Sequence, residues 1–413
     1  MTGRFNKVQL LVGVSATAIA LSISTYSAAE TGMPLGSGTL NTEVTVGWHN
    51  QDNHFAAEVQ EKDDSAVVFA PSFNWTSDWA SGNELSLSAE TEITMQNKFD
   101  QDDTSHYSLG ADGKVNLSNS ANVTYGAAFE SSTESRGSIE DNGSFEPVEY
   151  ETTSADIAYN RVGGMFEFSV GAEISEKDYE DGAFIDPNTL LRTRVNNDDR
   201  DATVVTIFGE ASYQVANRLF AYVGVSYNDR NFDELEDVSN IDRDSDGYTV
   251  NGGMEILLTD ISSVSFGLNY HDQNFDDNAL NDVNGLGGEA TFIWLPTELT
   301  TVAVSIAHQY NDTSQTAVSG SLTQSGALTI NHQLTDTLSV SVDGSISRAD
   351  FEGVDTNNIE REDDTYTAGI AVDYLLNENV SFGAAADYVD RESNVPFDSY
   401  DRTKYGASIT VRL

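Results

Sequence analysis

Thirteen carboxylates recur at alternate positions of short runs: Glu84, Glu90, Glu92, Asp112, Glu130, Glu167, Glu173, Glu210, Glu255, Glu289, Asp343, Asp373 and Asp387. Successive side chains of a strand point to opposite faces, so this spacing collects the acids on one face. The other face is apolar, as in Val264, Phe266 and Leu268. Acids gathered in that way can draw cations into a solvated channel, or can simply stay hydrated. A second chemistry is chelation. Asp242-Arg-Asp-Ser-Asp-Gly247 has acids at positions one, three and five and glycine at six, the first half of a calcium loop, which makes Asp242, Asp244 and Asp246 candidate Ca²⁺ ligands. Gly253 stands where the bidentate acid belongs, and a strand pattern resumes at Tyr248.

Catalytic chemistry finds little support. The chain has no G-x-S-x-G, H-E-x-x-H or Walker motif, and its six His are scattered. With no Cys there are no disulfides, thiolate metal sites or Cys nucleophiles. No cofactor is expected, and a channel or structural role is favoured over an enzyme.

The elements that must position the acids are strands. Alternating runs cover 39–49, 65–76, 83–96, 105–117, 121–134, 150–160, 165–179, 199–215, 219–232, 243–258, 263–275, 285–295, 299–310, 317–334, 338–351, 364–376, 380–392 and 402–413. That is about 18 strands, within a range of 16–18. Short connections such as Ser118-Asn-Ser120 and Thr335-Asp-Thr337 alternate with long acidic ones such as 135–149 and 180–198. Only Pro71 falls inside a run, where it would delete a ladder bond, so the second strand is the least regular. A sheet apolar on one face and polar on the other needs hydrocarbon outside and water inside. The expected fold is therefore all-β: a single closed antiparallel transmembrane β-barrel with short periplasmic turns and long acidic extracellular loops. Tyr and Trp near strand ends, among them Trp48, Tyr107, Tyr270 and Tyr310, suit interfacial girdles. The cations expected to face the lumen acids are Lys114, Lys404 and Arg412.

The ends of the chain give the compartment. Arg4 and Lys7, the apolar run from Val8 to Ile23 and Ser27-Ala28-Ala29 form a secretory signal peptide over 1–29, cleaved near Ala29. Residues 30–38 follow as a short periplasmic leader, and 39–413 form the barrel. Cleavage removes two positive charges and no acid, taking the net charge from −47 to −49. Such a chain will not bind nucleic acid through phosphates. At the other end, Lys404, Gly406, Ile409, Val411 and Leu413 resemble the terminal assembly signal of bacterial outer-membrane barrels, although an aromatic residue usually stands where Leu413 does. Outer-membrane lipid and the barrel-assembly machinery are the partners this implies.

Val170-Gly-Ala-Glu-Ile-Ser-Glu-Lys-Asp-Tyr179, the Asp199-Arg200 strand opening, Tyr227-Asn-Asp-Arg-Asn-Phe232 and Arg243-Asp-Ser-Asp-Gly247 sit at hairpin spacing. With these features the chain, from about residue 65 onward, resembles the outer-membrane beta-barrel porin family associated with exopolysaccharide loci of Gram-negative bacteria. The resemblance implies an outer-membrane location and a channel assisting export of an exopolysaccharide, with polysaccharide-secretion components as partners. An acidic lumen would repel an anionic polymer. Two alternatives stay open: a cation-preferring diffusion porin for small solutes, and a non-conducting structural barrel at the cell surface.

Overall fold

The computed structural model describes residues 32–413 apart from 142, 186–190, 237–239, 314, 316–317 and 355–358. The signal-peptide segment 1–29 lies outside the described residues. Eighteen long strands carry the architecture. They are β1 (Gly38–Gln51), β2 (Asp64–Asp78), β3 (Glu84–Gln96), β4 (Thr104–Ser118), β5 (Ala121–Thr133) and β6 (Glu149–Arg161). The series continues with β7 (Phe166–Tyr179), β8 (Ala202–Ala216), β9 (Leu219–Phe232), β10 (Ser245–Thr259), β11 (Ser262–Phe275) and β12 (Val283–Thr297). It ends with β13 (Thr300–Asn311), β14 (Val318–Thr335), β15 (Leu338–Gly353), β16 (Glu362–Asn377), β17 (Val380–Ser393) and β18 (Tyr400–Arg412).

Every neighbour is antiparallel, and β1 pairs with both β2 and β18, so the sheet has no free edge. The seam aligns Val46 with Ile409 and is tied inside by the Thr45 and Thr410 hydroxyls, 2.8 Å apart and buried. Closure satisfies all ladder groups, which is what allows strands to lie in hydrocarbon. The strands alternate as expected. Leu109, Leu268, Leu286, Ile306 and Ile346 stand on the convex face, with Leu286 74% exposed and Leu268 71%. An apolar skin of that extent needs lipid against it. Among the described residues no helix is long and apolar enough to cross a membrane.

Long and short connections alternate around the rim. Turns such as 216–219, 259–262 and 335–338 close one end, whereas 52–63, 97–103, 134–148, 180–201 and 233–244 crowd the other. The loop after β7 contains a small hairpin pairing Gly182–Ile185 with Arg192–Val195. Met33–Leu35, within the expected leader, folds back onto Gly38–Leu40.

Pro71 sits in β2 as the sequence warned, and the strand survives it. Pairing with β1 runs through Val44↔Pro71, while pairing with β3 lapses at Ala70 and Pro71 and resumes in register at Ser72↔Glu90. Proline lacks an amide proton, so the side that loses the bond is the side that opens.

A loop-narrowed lumen as the candidate functional site

The loop 134–148, between β5 and β6, crosses the inside of the barrel to the opposite wall. Its Gly137 carbonyl accepts hydrogen bonds from Arg391 of β17 at 2.8 Å and from the Tyr400 hydroxyl of β18 at 3.4 Å. The Arg136 carbonyl accepts one from Arg402 at 3.3 Å. On the far side, Gln315 donates to the Ile139 carbonyl at 2.8 Å and the Thr313 hydroxyl to the Glu140 carboxylate at 2.8 Å. Ile139 packs on a buried cluster of Val318, Ala349 and Phe351. Gly137 has φ +78, and a Cβ there would run into Ala56 and meet the Tyr400 ring at 3.0 Å, so only glycine lets the loop turn so close to the wall.

Buried arginines hold the loops that surround this crossing. Arg136 binds Asp102 through two hydrogen bonds, and Asp102 also accepts from His54 Nε2 at 2.8 Å. Burial pushes the Asp102 carboxyl up, but the bonds from His54 and Arg136 outweigh it and hold the group below the ordinary carboxylate range. Arg200 pairs with Glu134, which keeps its guanidinium firmly charged against the cost of burial. Arg230 pairs with Asp312 at 2.6 Å, Arg243 with Glu236 at 2.7 Å and Arg391 with Asp363 at 2.9 Å. These pairs pin the loops, within one loop for Arg243 and Glu236 and across to another loop or strand for the rest, and most of them are buried.

Between the loop and the wall lies a cavity of about 1920 Å³, lined by eleven carboxylates and six Lys or Arg. Of the thirteen acids singled out from the sequence, Glu90, Glu92, Glu130, Glu289 and Asp387 line it. None of these five forms an ion pair within 4 Å among the described residues. The lining acids Asp102, Glu134, Asp312 and Asp363, in contrast, are each tied to an arginine. The remaining acids share strand faces with lining residues but stand nearer the short turns. Glu84 pairs with Lys114. Asp112 flanks Gly126, Asp343 stands beside Gly369 and Asp373 beside Gly383. Glu167 accepts from the Gly163 amide at 2.9 Å. Glu173, Glu210 and Glu255 lie opposite Thr206, Ser169 and Ser265.

Three site features were not read from the sequence. Lys177 lies over the rings of Tyr150 and Tyr179, 4.1 and 4.5 Å from their centroids; strand parity with Glu173 and Ser175 could have revealed it. The inward course of loop 134–148, and with it Arg136, left no periodic signal. Tyr310 was expected in the interfacial girdle, and the structure corrects this: it is buried in the lumen wall, stacked on His271 at 4.9 Å and donating to the Ser319 carbonyl.

Acidic rim residues have a structural use of their own. Asp52 accepts from the Thr403 amide at 2.7 Å, Asp201 from Tyr179 at 2.6 Å, Asp244 from Phe232 at 2.6 Å and Asp282 from Phe275 at 3.1 Å. Each carboxylate thus satisfies an amide where the ladder gives out at the long-loop end. Asp242 likewise accepts from the Asp244 amide at 3.0 Å. Asp246, on β10 opposite Asp229 and Asn274, belongs to the strand rather than to that turn. Asp242 and Asp244 therefore spend carboxylate oxygens on backbone, and Asp246 stands apart from them on the strand. Among the described residues no group of three or more such side chains is placed to share a metal ion. At the seam, Ile409 and Val411 of the terminal signal face outward, Lys404 lines the cavity, and the Leu413 amide donates to the Thr42 carbonyl at 2.9 Å.

Solved structures are similar to the chain. The siderophore receptor PiuA from Acinetobacter baumannii matches with a TM-score of 0.51 at 12% identity, over 92% of this chain and 82% of that one. OccK5 (OpdH) from Pseudomonas aeruginosa gives a TM-score of 0.49 at 13% identity, over 91% of this chain and 98% of that one. OpdL from Pseudomonas aeruginosa gives 0.47 at 11% identity, over 92% and 100%. No curated protein matches. The family described as "Putative beta-barrel porin 2" matches residues 27–413. A closed barrel with an apolar skin, a charged lumen and that match over nearly its whole length identify the chain as a member of this porin family, located in the outer membrane.

Proposed function

We propose that the protein is an open diffusion channel for small polar solutes, with a preference for cations. The observation that carries this reading is the set of five lining carboxylates, Glu90, Glu92, Glu130, Glu289 and Asp387, left without ion pairs where loop 134–148 narrows the barrel. Unneutralised charge in a confined, low-dielectric passage concentrates counter-ions and excludes co-ions. The buried arginines Arg136, Arg200 and Arg391 do not cancel it, because they are spent on Asp102, Glu134 and Asp363, acids outside this set.

Export of an exopolysaccharide, which the family resemblance implies, is supported less well. A polymer chain would have to displace a loop held to β14, β15, β17 and β18, against five carboxylates that repel an anionic cargo. The test is a planar bilayer holding the purified full chain under a KCl gradient. The expected result is a steady current whose reversal potential lies on the potassium side. A chloride-side reversal, or no current, would refute the reading.

A further inference from the structure

Lys404 faces the free carboxylates without being tied to any of them. It lies on β18, lines the cavity, and stands directly opposite Asp387 on β17 and Gln51 on β1. Arg402, Glu92 and Asp387 are within its Coulombic reach. Its ammonium makes no hydrogen bond and no ion pair within 4 Å among the described residues. The other lining cations are engaged. Arg136, Arg200 and Arg391 hold carboxylates, Arg402 donates to the Arg136 carbonyl, and Lys177 rests on two tyrosine rings.

We propose that Lys404 is the residue that sets how strongly the lumen selects cations, acting as a tethered counter-ion to Asp387 and Glu92. A permeating monovalent cation competes with this ammonium for the same carboxylates. The charge is covalently held, so raising the salt cannot wash it out, although salt does screen its reach. This inference rests on the channel reading above and deepens it. Lys404 also falls in the terminal assembly segment, so changes there could be mistaken for assembly defects. Heat-modifiable migration on a gel separates a folded variant from an unfolded one.

The experiment compares wild type with Lys404→Gln, Lys404→Glu and Lys114→Gln in the same bilayer. Lys114 is tied to Glu84, outside the cavity, and serves as the local control. At 0.1 M salt, Lys404→Gln is expected to raise the cation-to-anion permeability ratio roughly two- to five-fold, the order of one unit charge in a high-dielectric passage. Lys404→Glu raises it further, Lys114→Gln leaves it unchanged, and the differences shrink at 1 M salt. An unchanged ratio in Lys404→Gln, or an equal rise in Lys114→Gln, would overturn the assignment. The wild-type reversal potential judges the channel reading by itself, and the difference between variant and wild type judges Lys404. Should the barrel carry no current, spermidine binding to the detergent-solubilised chain decides the matter. Lys404→Gln then binds several-fold more tightly, and equal affinity sinks the proposal.

Discussion

Arg136 grips Asp102 with its Nε on Oδ2 at 3.0 Å and its Nη2 on Oδ1 at 2.8 Å, joining loop 134–148 to the loop after β3 in a pair only 10% and 2% exposed. Removing one partner of a buried pair strands the other charge. Arg136→Ala is expected to loosen the loop by about 3 kcal/mol. The readouts are a larger and noisier single-channel conductance and new protease cleavage within 138–145. The Asp102 carboxyl is held below its ordinary range, so the pair contributes stability above the usual Asp pKa and loses it as pH falls through the depressed value. The wild type should therefore acquire the loosened behaviour only in strong acid.

Gly137→Ala tests the same loop through its backbone. A left-handed conformation costs a non-glycine residue about 1 kcal/mol, and the new methyl also meets Ala56 and the Tyr400 ring. The expected outcome is a barrel of unchanged heat stability whose conductance rises. A conductance equal to wild type would show that the loop accommodates the methyl in place.

The rim carboxylate Asp201 lies near Asp178, Asp198 and Asp233. Burial first, and then these neighbours, push it up to about 6. A raised carboxyl favours the folded state below the unfolded Asp pKa, and that advantage is lost as pH rises through about 6. The long-loop rim should thus be more protected from amide exchange at pH 4.5 than at pH 7.5. Asp201→Asn keeps the acceptor for the Tyr179 amide and should flatten that dependence. Persistence of the full pH effect in the variant would assign it to other acids.

Leu413 stands where the expected assembly signal usually carries an aromatic residue. It is 58% exposed, and its backbone closes the seam on Thr42. Leu413→Phe is expected to speed membrane insertion without altering the folded barrel, as measured by the rate of appearance of the heat-modifiable form. A slower rate would overturn this expectation.

The barrel was legible because one physical rule, alternation across a wall between lipid and water, governs nearly every strand. Val264, Phe266 and Leu268 announce the outside as plainly as Glu289 announces the inside. The strand ends in sequence and structure differ mostly by one to three residues, since ladder bonds continue past the point where the pattern fades. The lumen was legible only as a list of acids. The lining acids that Arg136, Arg200, Arg230 and Arg391 tie down, Asp102, Glu134, Asp312 and Asp363, fall outside that list, and those reaches span loops with no periodicity. Tyr310 shows the same limit. Its position in the strand suited a lipid-facing ring, yet at the end of β13 it turns inward to meet His271.

The loop that follows β5 is fastened to β18 as well as to β14, β15 and β17, so its docking site is complete only once the last strand is in place. The passage therefore reaches its final bore only when the first and last strands meet. Completion of the cylinder and restriction of leakage become a single event, which would spare the cell an unguarded hole.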